Sequence, residues 1–127
     1  MEIEKIAKIK SFKDLEIWKR GIKLVEDVYL ASTSFPKDET YGLGSQIKCA
    51  AVSIPSNISK GFSRLHNKEY RQFLHIALGS CAELTTQIII ASRLKYMDDT
   101  KADRLLCEID EISKMTMGLI KKLNTND

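Results

Sequence analysis

The sequence predicts an all-α protein, an up-down-up-down antiparallel four-helix bundle that takes up residues 1–127 as a single domain. Three observations carry this expectation. Apolar residues recur at spacings of three and four along nearly the whole chain, the period of helices with one face on a core. Two prolines, Pro36 and Pro55, and six glycines interrupt it, few for an all-β chain that needs a turn about every ten residues. The four periodic stretches are joined by short connections, which force neighbouring helices to run antiparallel. A hydrophobic content of 43% over 127 residues is enough for one core of ordinary domain size.

Helix one is expected to start at Ser11, where Ser11 and Asp14 form a capping-box-like pair. One apolar stripe runs through Leu15, Trp18, Ile22, Val25 and Tyr29, and a second through Ile17, Gly21, Leu24, Val28 and Ala31. Together they cover more than the arc of about 100° that a bundle helix needs, so this helix has apolar surface to spare. It ends before Pro36, which cannot continue a helix and holds Phe35 away from helical angles.

Helix two is expected over residues 38–62, with Leu43, Ile47, Ala50, Ala51, Ile54 and Ile58 on its apolar side. Gly44, Ser45, Cys49 and Ser53 make it small-sided, which lets a neighbour approach closely. Pro55 should bend it or force a local restart, and Gly61 is its C-terminal signal.

Helix three follows Asn67, a favourable N-cap, and extends to about Lys95. Within residues 72–92 the one formally charged side chain is Glu83, and the apolar residues point in nearly all directions, which predicts a helix covered on all sides. The stretch has the length of a membrane span. His75, Ser80, Thr85, Thr86 and Gln87 favour a buried core helix instead. Glu83 is expected to have a structural hydrogen-bond or salt-bridge partner, because a charge among apolar neighbours must be paired or protonated.

Helix four starts at the turn Asp98-Asp99-Thr100, with Thr100 and Asp103 as a capping pair, and carries Leu105, Ile109, Ile112, Thr116, Leu119 and Leu123 inward. Residues 1–10 form an N-terminal extension with no signal-peptide pattern, and 124–127 a frayed tail. The cysteines, Cys49, Cys81 and Cys107, lack ligand spacing and are expected as small core residues of a cytoplasmic protein.

Spare apolar surface on helices one and three implies a homo-oligomer, with Trp18, Leu24, Val28, Leu78 and Ile89 as candidate interface residues. The net charge of +3 is concentrated: residues 44–75 contain Lys48, Lys60, Arg64, Lys68 and Arg71 against Glu69 alone. A basic pole repeated around an oligomer suits RNA or DNA phosphates, and those five residues are the candidate nucleic-acid-binding set. Tyr70 and Phe62 lie among them and could stack on bases or fill the core. A solvated bundle end on a protein–protein interaction scaffold is the alternative reading. The histidines, His66 and His75, lack metal-ligand spacing, and no phosphate-binding glycine loop or nucleophile elbow occurs. The expectation is therefore a non-enzymatic protein without catalytic or metal residues, cofactor, membrane contact or small-molecule substrate.

The run Phe35-Pro36-x-x-Glu39-x-Tyr41-Gly42-Leu43-x-x-Gln46-Ile47, continued by Ala50-Ala51-x-Ser53-Ile54-x-x-Asn57-Ile58 to Gly61, resembles the signature of the four-helix bundle proteins named after 23S rRNA intervening sequences. Phe12-x-x-Leu15-x-x-Trp18, Phe73-Leu74-x-x-Ala77-x-Gly79-Ser80-x-x-Glu83 and Gly118-Leu119-Ile120 extend the resemblance over nearly the whole chain. It implies a ring, typically a pentamer. It also implies similarity to the accessory protein of diversity-generating retroelements, which works with a reverse transcriptase and nucleic acid. Where many members have Arg-Arg this chain has Lys48-Cys49, and where they have Glu before the glycine it has Lys60.

Overall fold

A computed structural model describes residues 10–123 of the chain, which form four long α-helices and three single 3-10 turns with no strand among them. The helices are α1 (Glu16–Ala31), α2 (Leu43–Phe62), α3 (Asn67–Arg93) and α4 (Asp99–Lys122). α2 packs most extensively on α3, α1 packs on α2 and α4, and α4 packs on α3. Almost all of the expected extension, and the tail at 124–127, lie outside the described residues.

The helix starts shift by a few residues, each for a local reason. Ser11 does cap, but it caps a 3-10 turn, Phe12–Asp14, by accepting from the Lys13 N–H at 3.2 Å, and α1 begins only at Glu16. Lys37–Glu39 is likewise a separate turn, and the Glu39 carboxylate reaches forward to accept the Leu43 N–H at 3.1 Å. α2 therefore opens at Leu43, not at residue 38. Asn67 is the first residue of α3 and His66 occupies the cap position, so the expected Asn67 cap is replaced by a start without a side-chain cap. In α4 Asp98 is the N-cap, accepting from the Lys101 N–H at 2.8 Å, two residues earlier than the expected cap at Thr100. α3 closes with a Schellman arrangement: Tyr96 N–H donates to the Ala91 carbonyl and Lys95 N–H to the Ser92 carbonyl. Lys95 takes the left-handed position usual for glycine, at φ 66°.

The core is built from the inner faces of all four helices, including Leu24, Val28, Ile47, Ile54, Ile58, Leu74, Leu84, Ile88, Ile109 and Ile112. The two stripes of α1 have separate fates. Ile17, Gly21, Leu24, Val28 and Ala31 are buried, whereas Trp18 and Val25 are half-buried and Ile22 and Tyr29 exposed. Leu24 and Val28, at 0% and 1% exposure, belong to the protomer's own core, which corrects their expected place at an oligomer interface. Gly21 explains why the second stripe faces inward. A Cβ there would sit 3.2 Å from Pro55 Cβ, so the missing side chain lets the proline ring nest against α1. α2 runs unbroken through Pro55, with no restart.

Polar groups within the α2–α3 contact are paired. The Ser53 and Ser80 hydroxyls are 2.8 Å apart, and Asn57 Nδ2 donates to the Ser53 carbonyl at 2.8 Å and to its Oγ at 2.9 Å. Because an unmade buried hydrogen bond is expensive, this clasp admits one register of α2 on α3. Buried Gln87 lies seven residues beyond Ser80 on the same helix, and its Oε1 has no partner among the described residues.

α3 is long and apolar enough to cross a membrane by length and composition, and its inner face is buried among the other helices. It is not covered all round as expected: Ile76, Ile89 and Ile90 are exposed on the protomer. Glu83 is exposed too, with no ion pair among the described residues of the protomer. Of the cysteines only Cys81 is buried, where burial pushes its thiol up and a Ser113 hydrogen bond opposes this; Cys49 and Cys107 are exposed, not core residues.

Candidate nucleic-acid interface

The turn between α2 and α3 is closed by close packing. A Cβ on Gly61 would lie 2.9 Å from the Tyr70 ring, 3.0 Å from Phe73 Cβ and 3.2 Å from the Tyr70 carbonyl oxygen. Only a glycine lets α3 start this near to the end of α2. Phe62 and Tyr70 fill the space beside it edge to face, with ring centroids 6.1 Å apart, and burial pushes the Tyr70 hydroxyl up to about 12. Both aromatics are therefore packing residues, partly buried against the core.

Three of the five candidate basic residues project from this turn. Lys60, Arg64 and Lys68 are exposed, and the Arg64 guanidinium lies 4.7 Å from the centroid of the Phe73 ring, which steadies it while leaving its donors outward. Arg71 is half-buried and donates from Nη1 to the Ile120 carbonyl in the last turn of α4, which also accepts the Leu123 N–H at 3.3 Å. Its first role is to tie α3 to α4. Lys48 does not join the group. It lies twelve residues before Lys60, about 18 Å along α2 at 1.5 Å per residue, with its ammonium 5.0 Å from the centroid of the Tyr29 ring.

The fold adds basic residues that a linear count kept apart. Phe12 lines a shallow depression with Ser59, Lys60, Ser63 and Arg64, which brings Lys10 and Lys13 to this end. The Arg71 contact to Ile120 brings Lys121 and Lys122. The acidic residues nearby are Asp14, Glu16 and Glu69. The available signal was the basic last turn of α4, the usual complement of a helix C-terminus, which has local meaning until the end of α4 is placed beside the start of α3.

The opposite end is defined by Ser34, whose hydroxyl donates to the Tyr96 carbonyl at 2.7 Å, and by Tyr96, whose hydroxyl donates to Glu39 at 3.1 Å. Asp38, Glu39, Asp98 and Asp99 mix there with Lys37 and Lys95. Among the described residues no group of three or more His, Cys, Asp or Glu side chains could hold a metal ion.

These features define an all-α, four-helix protein with one basic end. The chain matches the family model described as 23S rRNA-intervening sequence protein over residues 13–118, and it belongs to that family. A solved structure from Bacteroides thetaiotaomicron, described as a protein with unknown function from the S23 ribosomal protein family, has a similar fold. The TM-score is 0.75 at 17% sequence identity, covering 84% of this chain and 99% of that one. At that identity the likeness concerns the fold alone. No curated protein matches the chain.

Proposed function

We propose that the protein is a non-enzymatic, homo-oligomeric accessory protein whose basic end contacts RNA or DNA. The observation that carries this reading is the cluster of Lys60, Arg64 and Lys68 with Lys13 and Lys121 at one end of the molecule, while the opposite end mixes both signs. Phosphates along a nucleic acid take sequence-independent affinity from such a surface by releasing counterions. In this reading the helices alternate in direction as an antiparallel up-down-up-down bundle, and copies form a ring, a pentamer, that repeats the basic end and multiplies its affinity. The protein works in the cytoplasm, with a reverse transcriptase or another protein as a further partner, and turns over no substrate.

Anisotropy of labelled generic RNA and DNA, titrated with the protein at rising salt, tests this. Affinity should fall linearly on a log–log plot, and joint Lys60→Ala, Arg64→Ala and Lys68→Ala substitution should flatten the slope. Failure of the oligomer to bind at low salt overturns the reading. A protein-interaction scaffold is favoured by a different observation: Tyr41 and Leu65 are 95% and 93% exposed, large apolar side chains displayed to a partner. A specific protein co-purifying with no excess nucleic-acid absorbance selects that alternative.

A further inference from the structure

The depression at the basic end offers more than positive charge. It holds about 330 Å³ and is bordered by Phe12, Ser59, Lys60, Ser63 and Arg64. Ser59 and Ser63 are one helical turn apart, as are Lys60 and Arg64, so each hydroxyl has a cation as its chain neighbour. Both hydroxyl protons are already engaged: Ser59 Oγ donates to the Ser56 carbonyl and Ser63 Oγ to the Ser59 carbonyl, each at 2.9 Å. A serine oxygen that donates back into its own helix keeps its lone pairs for an incoming group. The depression therefore presents two hydroxyl acceptors beside two cationic donors. No acidic side chain borders it, and neither Lys60 nor Arg64 has an ion pair among the described residues.

We infer that this depression selects RNA over DNA by accepting the ribose 2′-hydroxyl at Ser59 and Ser63. The inference rests on the nucleic-acid contact proposed above and names which nucleic acid it takes. The lysine and arginine donors satisfy phosphate oxygens, which both polymers carry. An ionised phosphate has no proton to give, so it leaves the serine lone pairs unused. The sugar of RNA supplies what they lack: its 2′-hydroxyl is a donor close to the phosphate along the strand, where DNA has none. Base N–H groups are donors too, but both polymers have them and they favour neither. The acceptors and donors keep a set spacing, because the Arg64 guanidinium lies 4.7 Å from the Phe73 ring centroid and the turn beneath is packed at Gly61 against Tyr70. Phe12, with its ring centroid 5.3 Å from that of Trp18, adds an apolar wall for the nucleoside.

Labelled strands of a single base test this with the intact chain: oligouridylate, its 2′-deoxy counterpart and its 2′-O-methyl counterpart, each followed by anisotropy. The three carry the same base and the same number of phosphates. The RNA strand should bind roughly three- to tenfold more tightly than either analogue, the range of one or two hydrogen bonds, with parallel salt dependences. Joint Ser59→Ala and Ser63→Ala substitution should bring RNA down to the affinity of the deoxy strand with helical circular dichroism unchanged, whereas Lys60→Ala should weaken all three strands alike. Equal binding of RNA and the deoxy strand by the wild type overturns the inference and leaves the nucleic-acid reading standing. A 2′-O-methyl strand that binds as tightly as RNA overturns it too, because the proton is then not what is read. So does a preference that survives both serine substitutions. No binding of any strand at low salt removes the nucleic-acid reading and this inference with it. Ser63→Ala alone, at the C-cap of α2, takes the place of the pair should the pair lose helicity; it should narrow the preference, and an undiminished one overturns the assignment.

Discussion

The two ends of the molecule are held together by different means. At the basic end, packing does most of the work: Gly61 admits Tyr70 and Phe73 at contact distance, and a single hydrogen bond from Arg71 closes on the α4 carbonyl. At the other end, hydrogen bonds between loops do it, with Ser34 and Glu39 both meeting Tyr96 and Ser92 donating to Asp99 at 2.8 Å. The difference teaches where charge can be displayed. Lys60, Arg64 and Lys68 stand on a tightly packed turn and do not spend their charge on acidic partners among the described residues. The opposite end uses its acidic groups as caps and acceptors and sets Lys37, Arg93 and Lys95 among them, so charges of both signs mix there.

The sharpest way to break this comparison is to reverse charge at each end. Lys60→Glu, Arg64→Glu and Lys68→Glu together should weaken binding to generic RNA by roughly a hundredfold or more at low salt. The same change at Lys37, Arg93 and Lys95 should shift it by less than about threefold, and equal losses in the anisotropy titration would dissolve the distinction between the ends. Next in size is the packing itself. Gly61→Ala should lower unfolding stability by about 1–3 kcal/mol, since backbone stands among the atoms a Cβ would meet. Gly79→Ala, with nothing within 4 Å, should raise it by up to about 1 kcal/mol, both read from chemical denaturation.

A smaller effect separates the ends by alkaline titration. Tyr70 is raised to about 12 by burial, so the folded state holds its proton more tightly than the unfolded chain does. Its stabilising contribution is complete below about pH 10 and lost as pH rises toward 12, a fall on the order of 1–2 kcal/mol that Tyr70→Phe should remove. Tyr96 is raised chiefly by its hydrogen bond to Glu39, so Glu39→Gln should bring its phenolate absorbance to lower pH and leave that of Tyr70 in place. The smallest effect is expected at Lys95. Glycine accepts its left-handed backbone more readily, and Lys95→Gly should stabilise the hydrogen-bonded end by about 0.5–1 kcal/mol.

The helices were legible because each inner face repeats at helical spacing, and the four predicted helices match four observed ones. Their starts were less so. A serine or asparagine in the right place signals a cap without showing whether a short turn intervenes, as it does after Ser11 and at Lys37–Glu39. The two stripes of α1 have similar hydrophobicity, and choosing between them required knowing that Gly21 receives Pro55, two residues far apart in sequence. Leu24 and Val28 were misplaced for that reason. The basic end was readable from Lys60, Arg64 and Lys68, which are neighbours along the chain. Lys13 and Lys121 were not, because they join the surface only through contacts between helices, and Arg71 looked like them until its bond to Ile120 was seen.

The clasp of Ser53, Asn57 and Ser80 has a consequence for the order in which the chain folds. Ser53 and Ser80 are 27 residues apart, whereas Arg71 meets Ile120 across 49 and Ser34 meets Tyr96 across 62. Closing the shorter of these three loops loses less chain entropy, so the α2–α3 hairpin is favoured to form before the two longer contacts. Substitutions in the clasp should then slow folding, and substitutions where α1 meets α4, at Arg20 or Leu105, should chiefly hasten unfolding. On this account the hairpin is the nucleus, and the seam between the first and last helices is expected to close late and open first.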